Sequence, residues 1–107
     1  MASFSVRCVF RWKPRSDQVR KHLYEERITL WKASDIDEAI ALAEGEARTY
    51  ASDAGEEYLE FCQAYALVEE PGAHGIEVFS LLRDSDLEPA QYLDAFFATG
   101  GEHERVA

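Results

Sequence analysis

The sequence lacks the short motifs that identify common enzyme and cofactor sites. It contains no Gly-x-Ser-x-Gly nucleophile motif, no phosphate-binding loop and no Gly-x-Gly-x-x-Gly dinucleotide motif. The histidines His22, His74 and His103 show no i, i+4 pairing and have no cysteine at metal-ligand spacing. We therefore predict no catalytic residue, no metal site and no cofactor. A protein that is not an enzyme is expected, unless catalytic residues converge only in three dimensions.

Long apolar runs and paired cysteines are also missing. No run approaches the roughly 18 apolar residues that span a bilayer, and the first residues lack the basic and then apolar pattern of a signal peptide. Cys8 and Cys62 lie in strand-like stretches and outside any Cys-x-x-Cys motif, which favours buried free thiols. These features predict a cytoplasmic protein with no membrane contact.

Basic residues are few, and their distribution is uneven. The chain has 11 basic and 21 acidic residues, a net charge of −10. Residues 1–32 carry a net charge of +5, whereas residues 33–107 carry −15. Such acidity works against general nucleic-acid binding, because phosphate neutralisation supplies most non-specific affinity. It favours a basic protein partner, although an acidic surface also serves solubility alone.

Two alternating stretches predict a first β-hairpin. Residues 4–12 and 23–32 alternate apolar with polar side chains, and the polar residues 13–22 between them predict a long basic loop. We expect Ile28 and Leu30 to meet the apolar face of the first strand. Glu25 and Arg27 would then share the opposite face with the first strand's arginines as cross-strand ion pairs.

A helix and a second set of elements follow. Ser34 is the predicted N-cap of a helix whose apolar residues recur at helical spacing from Ile36 to Ala51. Residues 58–70 predict a third strand that is apolar on both faces, so it is covered on both sides or contacts a second chain. Residues 71–75 predict a turn and residues 76–83 a fourth strand, which gives a second hairpin. Residues 87–99 predict a second helix capped by Ser85 or Asp86.

The order of elements predicts an α+β fold, ββαββα. We expect a four-stranded antiparallel sheet with two helices on one face, formed by residues 1–101 as a single domain, and a flexible tail at residues 102–107. Residues 32–39 match residues 83–90 at an offset of 51 positions. This match indicates either an internal ββα repeat or only the shared chemistry of a strand that runs into a helix cap.

The sheet face without helices is the predicted site of interaction. It would be open and would lie beside the basic loop. The candidate interaction residues are Arg7, Arg11, Lys13, Arg15, Arg20, Lys21, Glu25, Arg27 and Trp31.

Short motifs at residues 5–7 (SVR), 24–28 (YEERI) and 38–40 (EAI) resemble the bacterial domain of unknown function family 4288. The resemblance covers nearly the whole chain. It implies a bacterial cytosolic domain that stands alone, and it implies no activity or site residue.

Three functional hypotheses remain open. The first is a small acidic interaction protein, most specifically an immunity or antitoxin-type inhibitor that covers a basic toxin. The second is a homodimeric structural or adaptor domain joined through the open sheet face, with Trp31, Phe61 and Tyr65 as anchors. The third is binding of a phosphate ligand or RNA by the basic N-terminal hairpin, which the acidic remainder of the chain disfavours.

Overall fold

Two long strands form the centre of the structure, a computed structural model that describes residues 2–67, 74–97 and 103–106. Strand β1 (Ala2–Trp12) pairs antiparallel with β2 (His22–Ala33), and the register runs from Ala2↔Ala33 to Trp12↔Leu23 without a shift. The predicted first hairpin is present. Its loop spans residues 13–21.

The register of this hairpin differs from the predicted one. The opposed pairs on the apolar side of β1 include Phe4–Trp31, Cys8–Arg27 and Phe10–Glu25. Because directly opposed residues point to the same face, Ile28 and Leu30 lie on the other side of the sheet. The expectation that they meet the apolar face of β1 is wrong. Because β2 has both apolar and charged side chains on each face, its sequence alone does not determine which face lies on the apolar side of β1.

Helix α1 (Ile36–Ala54) begins one residue later than the predicted cap implies. Its N-cap is Asp35, whose carboxylate accepts a hydrogen bond from the backbone N–H of Glu38 at 2.8 Å. The Glu38 carboxylate in turn accepts a hydrogen bond from the backbone N–H of Ser34, the residue before the N-cap, at 2.7 Å. Gly55 ends the helix in the left-handed conformation, with φ of 71°.

The remaining elements complete one sheet. They are β3 (Glu57–Ala66), β4 (Ile76–Ser85), helix α2 (Pro89–Phe97) and the short strand β5 (His103–Val106). The strand order is β4-β2-β1-β3-β5, with antiparallel pairing throughout. The prediction of an α+β fold with the order ββαββα and a four-stranded antiparallel sheet is confirmed, and β5 extends that sheet beside β3. None of the described helices is long and apolar enough to cross a membrane.

The third and fourth strands are not a hairpin. β3 pairs with β1, whereas β4 pairs with β2, so the central hairpin separates them. The second half of the chain therefore does not repeat the strand pairing of the first half. The predicted cap of the second helix at Ser85 or Asp86 is also wrong, because α2 begins at Pro89 and the Asp86 carboxylate accepts hydrogen bonds from Arg20 and Lys21. His103–Val106 form a strand where the sequence predicted a tail. The predicted strand residues 68–70, most of the turn at 71–75 and the end of the second helix lie outside the described residues.

The two helices cover opposite faces of the sheet, so the prediction of both on one face is wrong. On the first face, small residues of α1, among them Ala43 and Ala47, pack against Val6 and Cys8 of β1. On the second face, Tyr92 and Phe97 of α2 form a separate cluster with the following residues of the sheet: Val9, Tyr24 and Phe61. Two apolar faces need two covers, because each would otherwise expose its side chains to water. We call these the α1 face and the α2 face.

Candidate interaction surface

The nine predicted interaction residues lie in three different environments. Glu25, Arg27 and Trp31 are buried on the α1 face. Arg7 and Arg11, at alternate positions to the apolar residues of β1, lie on the α2 face. The loop between β1 and β2 holds Lys13, Arg15, Arg20 and Lys21. The structure therefore does not bring these residues together, and the predicted open face that they would share is wrong.

Glu25 is a buried carboxylate held by donors from three directions. Its side chain accepts hydrogen bonds from Trp12 Nε1 at 3.0 Å, from the Tyr50 hydroxyl at 2.8 Å and from the Ser80 hydroxyl. Burial, followed by the hydrogen bond to Glu25, raises the pKa of Tyr50 and keeps it a donor. Glu25 thus ties β1, α1 and β4 to β2, and protein donors occupy its oxygens.

Arg27 sits beside this carboxylate in a second polar cluster. Its guanidinium donates two hydrogen bonds to Glu46, at 2.5 and 2.9 Å, and one to Glu77, and it stacks 3.9 Å from the Tyr50 ring centroid. Burial alone would lower the pKa of Arg27, but the hydrogen bonds to Glu46 and Glu77 raise it, so the charge is retained. The Arg27 guanidinium and the two carboxylates therefore pair with one another within the protein.

Trp31 is buried by the turn that precedes β4. A Cβ atom at Gly75 would lie 3.1 Å from the indole, a tight contact, and the φ of 67° at this position also disfavours a side chain. The His74 ring meets the indole edge-to-face at 5.3 Å, and its Nδ1 accepts the backbone N–H of Lys32. Trp31 and the equally buried Phe61 are wrong as dimer anchors, and Tyr65 alone of the three is exposed.

A similar network of buried hydrogen bonds lies on the α2 face. The buried Glu26 carboxylate accepts hydrogen bonds from the Tyr92 hydroxyl at 2.8 Å and from Arg83 at 3.0 Å. Arg7 lies 3.7 Å from the same carboxylate and 4.4 Å from the ring centroid of Phe97. Burial, and then the hydrogen bond to Glu26, raises the pKa of Tyr92. This network fixes α2 onto the sheet and leaves its carboxylate engaged.

Acidic residues of the second half neutralise much of the basic hairpin. Lys21 and His22 lie 2.9 and 2.8 Å from the Glu88 carboxylate, and Arg20 lies 3.3 Å from Asp86. The hydrogen bonds from Lys21 and then His22 lower the pKa of Glu88 to about 2. A cleft of about 540 Å³ beside them is lined by residues of both charge signs: Arg20, Arg83, Asp84, Ser85, Asp86, Leu87 and Phe96. The expected basic patch is therefore largely internally paired.

Strand β4 carries four of the large apolar side chains that are exposed among the described residues. It pairs with β2, and none of the described strands pairs with the other side of its backbone. Exposed fractions are 52% for Ile76, 52% for Val78, 47% for Phe79 and 38% for Leu82. Natural edge strands are commonly short or charged, because a long apolar edge pairs readily with another chain. We call residues 76–82 the β4 edge, and it is the candidate interaction surface.

Sequence reasoning missed this surface although a signal was present. Residues 78–82, Val-Phe-Ser-Leu-Leu, place apolar side chains on both faces of one strand. Such a pattern indicates a strand covered on both sides. The predicted pairing with β3 hid the edge, because it placed β4 within a hairpin.

Comparisons with known protein families, with curated proteins and with solved structures found no match. Within the described ranges, no three His, Cys, Asp or Glu side chains are grouped as metal ligands. The resemblance to family 4288 stays a prediction.

Proposed function

We propose that the protein is a non-enzymatic interaction domain that binds a protein partner by adding a strand to the β4 edge. The observation that carries this proposal is the exposed apolar edge itself, which belongs to a strand of ten residues that is paired on one side only among the described strands. Strand addition uses backbone hydrogen bonds for affinity and side-chain contacts on alternate faces for specificity. The β4 edge offers both.

The hydrogen bonds of the buried carboxylates support a role in binding over a role in catalysis. Glu25 and Glu26 are buried, and each accepts hydrogen bonds from neighbouring side chains. A general base must reach a substrate proton within hydrogen-bond distance. A cytosolic location also belongs to this proposal, because Cys8 and Cys62 lie opposite each other on β1 and β3 without being joined by a disulfide.

A labelled strand peptide tests the proposal. The probe is a fluorescently labelled peptide as long as β4, with alternating threonine and valine and a lysine at each end. Its binding is measured by fluorescence anisotropy. We expect saturable binding to the wild-type protein. Leu82→Lys should weaken binding about tenfold or more, since a charge on an edge strand opposes strand addition.

The chain offers a matched control for this substitution. Leu42 on α1 is 39% exposed, against 38% for Leu82, so Leu42→Lys changes charge and apolar exposure to the same extent away from β4. Binding should be unchanged in this variant. Equal binding by both lysine variants, or equal binding of a peptide with methylated backbone amides, would contradict strand addition.

An acidic inhibitor of a basic protein, of the immunity or antitoxin type, is the second candidate. The internal pairing of Arg11, Arg20, Lys21 and Arg27 with carboxylates favours it, because a net charge of −10 then acts with little basic surface to oppose it. The same pairing disfavours binding of phosphate ligands or RNA. Co-expression with the product of the neighbouring gene tests this candidate: a complex that weakens with added salt supports it, and no complex at low salt contradicts it.

A further inference from the structure

We infer that the partner at the β4 edge is a second copy of this chain, bound antiparallel about a two-fold axis at Ser80. This inference rests on the proposed strand addition and names its partner. The two sheets would join into one continuous sheet through their β4 strands. The resulting dimer is isologous, with the same residues contributed by each copy.

The order of residues along β4 is self-complementary about Ser80. In an antiparallel pair centred there, Phe79 lies opposite Leu81 of the second copy. The pairing of β4 with β2 shifts register at Val78, so the exposed Val78 and Leu82 flank this regular stretch on either side. The exposed edge therefore needs no chain of different sequence to cover it.

Net charge opposes the dimer only weakly at physiological salt. Each copy carries −10, but exposed charges separated by more than about 8 Å are largely screened under those conditions. Added salt should therefore maintain or strengthen a dimer that is held by apolar contacts and backbone hydrogen bonds. A complex with a basic partner would weaken instead, which separates the two occupants.

Light scattering on the purified full chain tests the inference. At tens of micromolar we expect a mass about twice the 12.1 kDa of one chain. Leu82→Lys should raise the dimer dissociation constant about tenfold or more, whereas the matched control Leu42→Lys should leave it unchanged. A monomeric wild-type protein overturns the inference, and so does a dimer that Leu82→Lys does not weaken.

Disulfide trapping tests the register. Ser80 and Ser52 are both exposed serines, the first on β4 and the second on α1. Under mild oxidation with glutathione disulfide, Ser80→Cys should form a covalent dimer much faster than Ser52→Cys. The two variants Ser80→Cys and Leu82→Cys are also mixed before oxidation. A covalent dimer that forms only between the two different variants would overturn the axis at Ser80, because it indicates pairing about Leu81.

The outcome of this test is separable from that of the proposed function. A monomeric protein that still binds the strand peptide at β4 overturns the second copy as partner and keeps strand addition. A monomeric protein that does not bind the peptide overturns both.

Discussion

Single residues show why buried charges in this protein are structural. Glu25 is 4% exposed and lies with Arg27 on the α1 face of the sheet. The two side chains reach Tyr50 and Glu46 of α1, which hold their charges. Alternation in the sequence located Glu25, Arg27 and Trp31 on one face correctly. It could not show that this face carries α1, because that depends on tertiary packing.

Glu25→Gln should destabilise the protein by about 2 kcal/mol. An amide leaves one of the donors around Glu25 facing an N–H group, and a buried unsatisfied donor costs about 1–3 kcal/mol. The measurement is the free energy of unfolding in urea. The control is Glu57→Gln, whose carboxylate is exposed and pairs with Arg11; we expect a loss below about 1 kcal/mol. Equal losses in the two variants would contradict the role given to Glu25.

The pKa of Glu88 gives a prediction on pH. Because its folded-state pKa of about 2 lies below the ordinary 4.5, its contribution to stability is present above pH 4.5 and is lost as the pH falls toward 2. Lys21→Met should raise the pKa of Glu88, since the hydrogen bond from Lys21 is the main cause of the shift. A titration of the carboxyl carbon by NMR measures this. An unchanged pKa in the variant would show that the ion pair is absent in solution.

At the level of elements, the sequence predicted which segments are strands and helices but not how they pair. Alternation and caps located β1, β2 and α1 within a few residues, because these signals are local. The placement of β3 beside β1 and of β4 beside β2 depends on where the chain re-enters the sheet after α1. The apolar character of β3 on both faces did indicate two covers, and Cys62 and Phe61 now contact opposite layers.

Helix α1 provides a matched pair of substitutions. Ile40 is buried against the sheet, whereas Leu42, two positions away, faces solvent. Ile40→Ala should lower the free energy of unfolding by about 3 kcal/mol, within the range for buried large-to-small changes, and Leu42→Ala should leave it nearly unchanged. Thermal and urea unfolding measure both. A similar cost at the two positions would contradict the assignment of the inner face of α1.

At the level of the whole molecule, charge and apolar surface are arranged separately. Carboxylates from the second half of the chain form ion pairs with basic residues of the first hairpin. The basic residues that are concentrated in residues 1–32 are therefore largely paired in the folded protein. The most continuous exposed apolar surface lies instead along one sheet edge. The sequence predicted a protein partner, and the surface that we propose for it is the β4 edge instead of the predicted open face. That difference arises because α2 covers the face that the sequence left open.

Amide hydrogen exchange along β4 tests most directly the claim that this edge is covered by another strand. Exchange is followed for residues 76–82 in dilute protein, in concentrated protein and with the strand peptide added. The account predicts that these amides exchange more slowly at high protein concentration or with peptide, while the amides of α1 do not change. Unchanged exchange of residues 76–82 under all three conditions would contradict it.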